Sequence, residues 1–232
     1  MPWLVTMEWR DALFLHWRAD AAALRAMIPP DLALDTYHDH AWVSIVAFRL
    51  AGARPRGLPP VAAIPTFNEI NVRTYVRDHE KAGIWFFSLD ATSRFAVRAA
   101  RRGLHLPYID ARIATTWTDG RCAYQSERAW RGDASRFAAE VRFGGVARQA
   151  EIGSLDYWLA ERYCFFSVDG RGRSMRGDII HEPWPLYDAT PLIHTNELLA
   201  AADIEPIVEV PLAHASPGVT THAWPWHRAA TS

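Results

Sequence analysis

The sequence predicts an α+β fold in which a curved antiparallel or mixed β-sheet closes toward a barrel, with a few short helices at its periphery. Three observations lead to this prediction: strand-like segments dominate, helix-like segments are few and short, and the two do not alternate regularly along the chain. Regular alternation would predict a parallel sheet covered by helices on both faces. A doubly wound nucleotide-binding fold is therefore disfavoured, and the chain has neither of the glycine-rich phosphate-binding motifs.

The predicted strands are rich in β-branched and aromatic residues and are separated by turn residues. Asp119-Gly120, for example, lies between two such segments and is typical of a β-hairpin. The strands are expected at 41–48, 67–77, 84–89, 113–117, 122–126, 139–143, 163–168, 173–181 and 220–224.

Four short helices are predicted, each after a residue that can cap its N-terminus. They span 21–28, 94–102, 155–162 and 196–202. The segment 52–60 is rich in glycine and proline, but it is too short to separate domains and is interpreted as a long loop. The whole chain, 1–232, is therefore expected to form one domain.

Composition limits the classes of partner. The 232 residues include 25 lysines and arginines against 26 aspartates and glutamates, so no strong net charge attracts nucleic acid or an anionic membrane surface. Two distant cysteines, no secretory leader and no run of 18 apolar residues predict a cytoplasmic protein. The histidine and cysteine spacings match no metal signature, so neither a metal nor a cofactor is predicted. Assembly into a homo-oligomer stays open.

The strand 67–77 carries a row of polar side chains. Alternation along a strand places Glu69, Asn71, Arg73 and Tyr75 on one face. On a surface strand this face would be solvated, whereas inside a barrel the arginine could hold a small anion and the glutamate could move a proton. The pattern alone leaves both alternatives open.

Four further residues are weighed as site candidates in the neighbouring segments. Trp85 lies in an aromatic strand, where such residues are more often core than ligand contacts. Tyr108 and Asp110 share a face of a later strand and would form either part of a charged pocket or a solvated ladder. Lys81, the only lysine, lies in a charged hairpin loop that gives no obvious means of lowering its pKa for Schiff-base chemistry.

Motifs along nearly the whole chain resemble those of the YqjF-like proteins, a bacterial group of unknown function. The matching segments are Phe67-x-Glu69-x-Asn71-Val72-Arg73-Thr74-Tyr75-Val76, Gly83-Ile84-Trp85-Phe86-Phe87-Ser88-Leu89-Asp90-Ala91, Leu106-Pro107-Tyr108, Ile28-Pro29-Pro30-x-Leu32-x-Leu34-Asp35, Glu161-Arg162-Tyr163, His181-Glu182-Pro183-Trp184-Pro185-Leu186 and Ala215-Ser216-Pro217-Gly218-Val219.

This resemblance implies a fold similar to acetoacetate decarboxylase, a cone-like β-barrel with a ligand cavity inside. In those enzymes a lysine that follows a proline forms a Schiff base with a keto acid, assisted by a second lysine. The corresponding segment here reads Leu106-Pro107-Tyr108-Ile109, so Tyr108 and Ile109 stand where lysines would be expected. Decarboxylation through a Schiff base is therefore not expected.

With a barrel implied, the polar row is expected to face inward. The resulting hypothesis is a cavity for a small carboxylate or carbonyl compound, in which Glu69 and Tyr108 perform acid–base catalysis without a Schiff base. The alternatives are a non-catalytic metabolite-binding or sensing module, and a purely structural buried pair of Glu69 with Arg73. The predicted ligand-binding residues are Arg73, Asn71, Tyr75, Trp85 and Asp110.

Overall fold

A computed structural model describes residues 2–58, 65–129 and 133–230. Thirteen strands within these ranges join into one continuous sheet. They are β1 (Val5–Ala19), β2 (Ala33–Leu34), β3 (Ala41–Pro55), β4 (Phe67–Arg77), β5 (Ala82–Ala91), β6 (Tyr108–Thr118), β7 (Arg121–Arg128), β8 (Arg136–Phe143), β9 (Cys164–Val168), β10 (Ser174–His181), β11 (Tyr187–Asn196), β12 (Leu212–Ala223) and β13 (His227–Arg228).

The sheet closes on itself twice. Nine strands form the larger ring in the order β5, β6, β7, β8, β11, β12, β1, β3 and β4, and β4 pairs with β5 to complete it. A smaller, seven-stranded ring uses β9 and β10 instead to connect β5 with β12, and it shares β12, β1, β3, β4 and β5 with the larger one. Strand β5 runs parallel to β6 and β9, whereas its pairing with β4 is antiparallel. The predicted mixed β-barrel is confirmed.

Apolar side chains fill the larger ring. One face of β1 contributes Leu13, Leu15 and Trp17, and each is at most 1% exposed. Tyr124 and Phe137 reach the same cluster from β7 and β8. Because side chains alternate along a strand, the opposite faces of the shared strands remain available to line the smaller ring.

Three short helices lie outside the strands in the described ranges: α1 (Ala21–Ala26), α2 (Arg94–Gly103) and α3 (Leu155–Ala160). The Asp20 carboxylate caps α1 by accepting from the Ala23 amide at 2.8 Å, and Ser154 caps α3 in the same way. No helix within the described residues has both the length and the apolar character that crossing a membrane requires.

The predicted helix at 196–202 is wrong. Strand β11 continues to Asn196 because it pairs with β8 along its length, and only a single 3₁₀ turn, Ala200–Ala202, follows. The side chains of Leu198 and Leu199 are buried in the core of the larger ring, which holds this short connection in place.

The segment 52–60 is also more regular than expected. Strand β3 extends through Pro55 by pairing with the start of β1, so the first residues of the expected loop belong to the sheet. Pro59 and Pro60 lie outside the described residues.

Candidate ligand-binding cavity

A cavity of about 220 Å³ lies inside the smaller ring. Its walls come from β1, β3, β4, β5, β9 and β10, from the start of β6 and the segment before it, from the end of α3 and the segment after it, and from the segment after β10. Most of the lining is apolar, as is usual for small-molecule sites. The apolar residues are Met7, Trp9, Phe14, Val46, Phe48, Leu50, Ile84, Phe86, Leu89, Leu104, Leu106, Ala160, Phe165, Ile179 and Trp184.

Two β-bulges direct side chains into this cavity. Strand β1 has one extra residue between Arg10 and Leu13, where Asp11 adopts φ 56°, so Trp9 and Phe14 both face inward despite their different parity. Strand β5 also has one extra residue, because Val72 of β4 pairs with Ser88 whereas the next residue, Arg73, pairs with Phe86. Phe86 and Leu89 then both reach the cavity.

The polar row of β4 faces this cavity instead of solvent. Glu69, Asn71 and Arg73 all line it and are between 2% and 7% exposed. The alternative of a solvated surface strand is therefore wrong. The closed smaller ring determines this outcome, because it covers the face of β4 that alternation makes polar.

Glu69 and Tyr108 form a hydrogen-bonded pair in the cavity wall. The Tyr108 hydroxyl donates to Glu69 Oε2 at 2.7 Å, and Asn71 Nδ2 is 3.4 Å from Glu69 Oε1. Burial raises the pKa of Glu69 to about 7, although both hydrogen bonds act to lower it. Burial, reinforced by the negative charge of Glu69, raises the pKa of Tyr108 well above its ordinary value. Tyr108 therefore keeps its proton while Glu69 exchanges one near neutral pH.

Arg73 is a buried cation without an anionic partner. No aspartate or glutamate oxygen of the described residues lies within 4.0 Å of its guanidinium, and Arg73 Nε has no hydrogen-bond partner among them. Burial lowers the pKa of Arg73, contact with Tyr75 raises it, and the charge of Arg162 lowers it. Glu69 and Arg73 thus do not form the structural ion pair considered from the sequence.

Tyr75 interacts with Arg73 but does not line the cavity itself. It is fully buried, and its hydroxyl hydrogen-bonds Ser44 Oγ at 2.7 Å and the Leu159 carbonyl at 3.1 Å. Ser44 Oγ is in turn 2.7 Å from His16 Nδ1, and burial, with the nearby charges of His214 and Arg73, lowers the pKa of His16 well below its ordinary value. The structure therefore places Tyr75 beside Arg73, in a buried polar network behind it.

The structure does not bring Trp85 or Asp110 into this cavity. Trp85 lies on the other face of β5 from Ile84 and packs against the cluster that contains Phe166. Asp110 is partly buried on β6 and is not part of the lining. Ile109, at a position where the resemblance implies a lysine, is also absent from the lining.

Lys81 lies outside the cavity as well. Its Nζ forms an ion pair with Asp178 at 2.9 Å at the start of β5. Because it is the chain's only lysine, no lysine lines the cavity.

Sequence reasoning missed two polar residues of the lining, Arg162 and His181. Arg162 Nη1 donates to Asp35 at 2.7 Å and Nε to the Trp158 carbonyl, but the buried Nη2 has no hydrogen-bond partner among the described residues. His181 Nδ1 donates to the Glu182 carbonyl at 2.8 Å, and burial lowers the pKa of the imidazole. Arg162 follows α3 and His181 is the last residue of β10, and at the ends of elements periodicity gives little signal. Their place in the motifs at 161–163 and 181–186 was the available signal.

One group of side chains has the composition of a metal site. Ligand atoms of Asp156, Asp188 and His214 lie within 4.8 Å of one another. Arg148 Nη2, however, donates to both carboxylates at 2.7 and 2.8 Å. A cation is thus already part of this cluster, and the simplest interpretation is an ion-pair network.

Solved structures with this architecture define the class of fold. Acetoacetate decarboxylase from Legionella pneumophila subsp. pneumophila str. Philadelphia 1 is similar with a TM-score of 0.67 and 12% identity, covering 98% of this chain and 87% of that one. The enduracididine biosynthesis enzyme MppR, complexed with pyruvate, is similar with a TM-score of 0.71 and 12% identity, covering 100% of this chain and 92% of that one. The protein therefore has the acetoacetate decarboxylase-like fold.

The family is narrower than this fold. Residues 6–220 match the DUF2071 family, described as an uncharacterized conserved protein. The chain is also 39% identical over 223 residues to the uncharacterized protein YqjF of Bacillus subtilis (strain 168), covering 96% of this chain and 91% of that protein. The chain belongs to the DUF2071 family of YqjF-like proteins.

Proposed function

We propose that the protein binds a small carboxylate or carbonyl compound in the cavity of the smaller ring. The observation that carries this proposal is Arg73, a buried guanidinium that lines the cavity and has no carboxylate partner among the described residues. Burying an unpaired charge is unfavourable, and an anionic ligand would satisfy it. Arg162 adds a second guanidinium to the same lining, and its buried Nη2 also has no hydrogen-bond partner in the part of the chain that the structure describes.

The proposed chemistry is proton transfer at a carbon next to the ligand's carbonyl group. Glu69, with a pKa of about 7, is suited both to remove a proton and to return it. Tyr108 holds the glutamate by its 2.7 Å hydrogen bond and stays protonated. The reaction class is that of a lyase or isomerase acting by acid–base catalysis. It needs no lysine, which agrees with the position of Lys81 outside the cavity lining.

One solved structure with this fold holds a ligand of the proposed class. MppR has the same fold and is described as complexed with pyruvate, a small oxo acid. At 12% identity this likeness extends to the fold alone, so the argument for an oxo acid depends on the arginine and glutamate of this chain.

Binding is tested by thermal shift and calorimetry with oxo acids of several chain lengths, pyruvate included. We expect at least one acid to stabilise the wild type, and Arg73→Met to abolish this effect while remaining folded. Arg112→Met is the matched control, because Arg112 is 75% exposed and pairs with Glu127 outside the cavity. If no acid stabilises the wild type more than it stabilises Arg73→Met, the proposed ligand class is wrong.

Catalysis is tested separately by NMR in heavy water with an acid that binds. We expect exchange of deuterium into the position next to the carbonyl, and loss of this exchange in Glu69→Gln with binding retained. Binding without exchange or turnover in the wild type would instead establish the non-catalytic binding module.

A further inference from the structure

The cavity has two chemically different ends. Glu69 and Arg73 are four residues apart on β4, which corresponds to about 13 Å along a strand. Glu69 contacts Tyr108 and Asn71, whereas Arg73 contacts Tyr75, which lies two residues further along the strand. Glu69 and Arg73 therefore have different neighbours at different points along β4. One end of the cavity offers proton transfer and the other offers positive charge.

Apart from Asn71, the side chains that the register places between these ends are apolar. The register of the sheet places Val46 of β3 and Leu89 of β5 on either side of Asn71, and all three line the cavity. Phe48 lies opposite Glu69, and Phe86 lies opposite Arg73. A ligand that touches both ends must pass this apolar section, so its middle part is expected to be hydrocarbon.

We infer that the ligand is an elongated oxo acid, with its carboxylate and its carbonyl group at opposite ends of an apolar spacer. The carboxylate would bind Arg73 and the unpartnered nitrogen of Arg162, and the carbonyl end would lie at Glu69. This inference rests on the proposed function and adds the length and polarity of the ligand to it. It excludes acids of three or four carbons as good ligands, because they reach only one end.

The strand geometry also sets the length of the spacer. Subtracting a hydrogen bond at each end from the separation of about 13 Å along β4 leaves about 7 Å, which corresponds to a spacer of roughly five carbon atoms. The cavity volume of about 220 Å³ is compatible with such a ligand. One water molecule takes up about 30 Å³ of the liquid, so the cavity has room for about seven waters or a ligand of similar volume.

The test is a calorimetric titration of the wild-type protein with pyruvate, octanoate and 7-oxooctanoate. We expect 7-oxooctanoate to bind at least tenfold more tightly than pyruvate. Octanoate, which has the carboxylate and the spacer but no carbonyl group, should be intermediate. If the three acids bind equally, or if pyruvate binds most tightly, the elongated ligand is refuted while the proposed carboxylate site stands. If none binds, the proposed function itself fails.

Two variants assign the ends. Arg73→Met should abolish binding of both eight-carbon acids, and Glu69→Leu should remove only the advantage of 7-oxooctanoate over octanoate. Equal losses for the two acids in Glu69→Leu would refute the placement of the carbonyl group. The comparison of chain lengths uses wild-type protein alone, so it decides the inference even if a variant fails to fold.

Discussion

The two rings of the sheet share five strands but use opposite faces of them. On β4, Ile70 and Val72 are fully buried in the apolar core of the larger ring, while Glu69, Asn71 and Arg73 line the cavity of the smaller one. The period of two along a strand allows one segment to build both regions. A rigid, close-packed core thus lies directly behind the candidate site, which is how a scaffold holds site residues in fixed positions.

The two regions also differ in how completely their buried arginines are hydrogen-bonded. Arg128 at the end of β7 bonds both oxygens of Asp90 at 3.0 and 3.1 Å, Ser88 at 2.8 Å and Asp133 at 2.8 Å. Arg73 has no comparable set of partners. A buried charge with its partners in place is structural, whereas the incomplete set of partners around Arg73 in the cavity is what supports the proposed anionic ligand.

The packing difference predicts unequal effects of the same truncation. Phe137→Ala removes a ring that is 1% exposed in the larger ring's core and should cost about 3 to 5 kcal/mol in the free energy of unfolding. Phe86→Ala removes a ring that already faces the cavity and should cost about 1 to 2 kcal/mol. Urea unfolding measures both, and equal losses would contradict the contrast between the two regions.

Because only one of these arginines is fully paired, replacing each with methionine should change the free energy of unfolding in opposite directions. Arg128→Met leaves Asp90 buried without its partner and should destabilise the protein by about 3 to 5 kcal/mol. Arg73→Met removes an unpaired buried cation and should stabilise the ligand-free protein by about 1 kcal/mol. Urea unfolding without ligand is again the measurement. A marked destabilisation by Arg73→Met would show that the guanidinium is structural.

Glu69 should make the free energy of unfolding depend on pH. Its pKa rises from an ordinary value of 4.5 to about 7 on folding, so between these pH values the folded state holds more protons than the unfolded chain. Stability associated with this group is complete below pH 4.5 and is lost as the pH rises through 7, by about 3 kcal/mol. Glu69→Gln removes this loss.

The measurement for Glu69 is the difference in unfolding free energy between wild type and Glu69→Gln from pH 4.5 to 8. Between pH 4.5 and 7 we expect the wild type to lose about 3 kcal/mol of unfolding free energy relative to the variant. Above pH 7 the difference should stay constant. A difference that does not change with pH would mean that the buried carboxyl is not protonated in the folded protein. Comparison with the variant cancels the other carboxylates, whose contributions are common to both.

Much of the fold could be predicted from strand patterns, because local alternation reports on local structure. Strand β4 has the predicted bounds, Phe67–Arg77. Strand β1 was missed because Glu8, Arg10 and Asp11 interrupt its apolar pattern at the bulge. The helix predicted at 196–202 failed for a related reason: its leucines are buried by contacts from distant strands that local propensity does not contain.

The candidate site was predictable where it follows one strand and unpredictable where it depends on closure of the ring. Alternation alone grouped Glu69, Asn71 and Arg73. It could not show that Arg162, which follows a short helix, joins them in the cavity lining. Nor could it show that Trp85 lies on the face of β5 that is turned away, since that depends on which side of the strand the smaller ring closes.

The smallest predicted effect concerns the lysine that composition singles out. Lys81 pairs with Asp178 at 2.9 Å, and its side chain is 38% exposed. Exposed pairs of this kind contribute about 0 to 1 kcal/mol, so Lys81→Met should change the unfolding free energy by less than about 1 kcal/mol. Ligand binding and exchange should be unchanged, and borohydride with an oxo acid should leave no adduct at Lys81. An adduct found there by mass spectrometry would move the reactive centre out of the cavity and would establish lysine chemistry in place of Glu69.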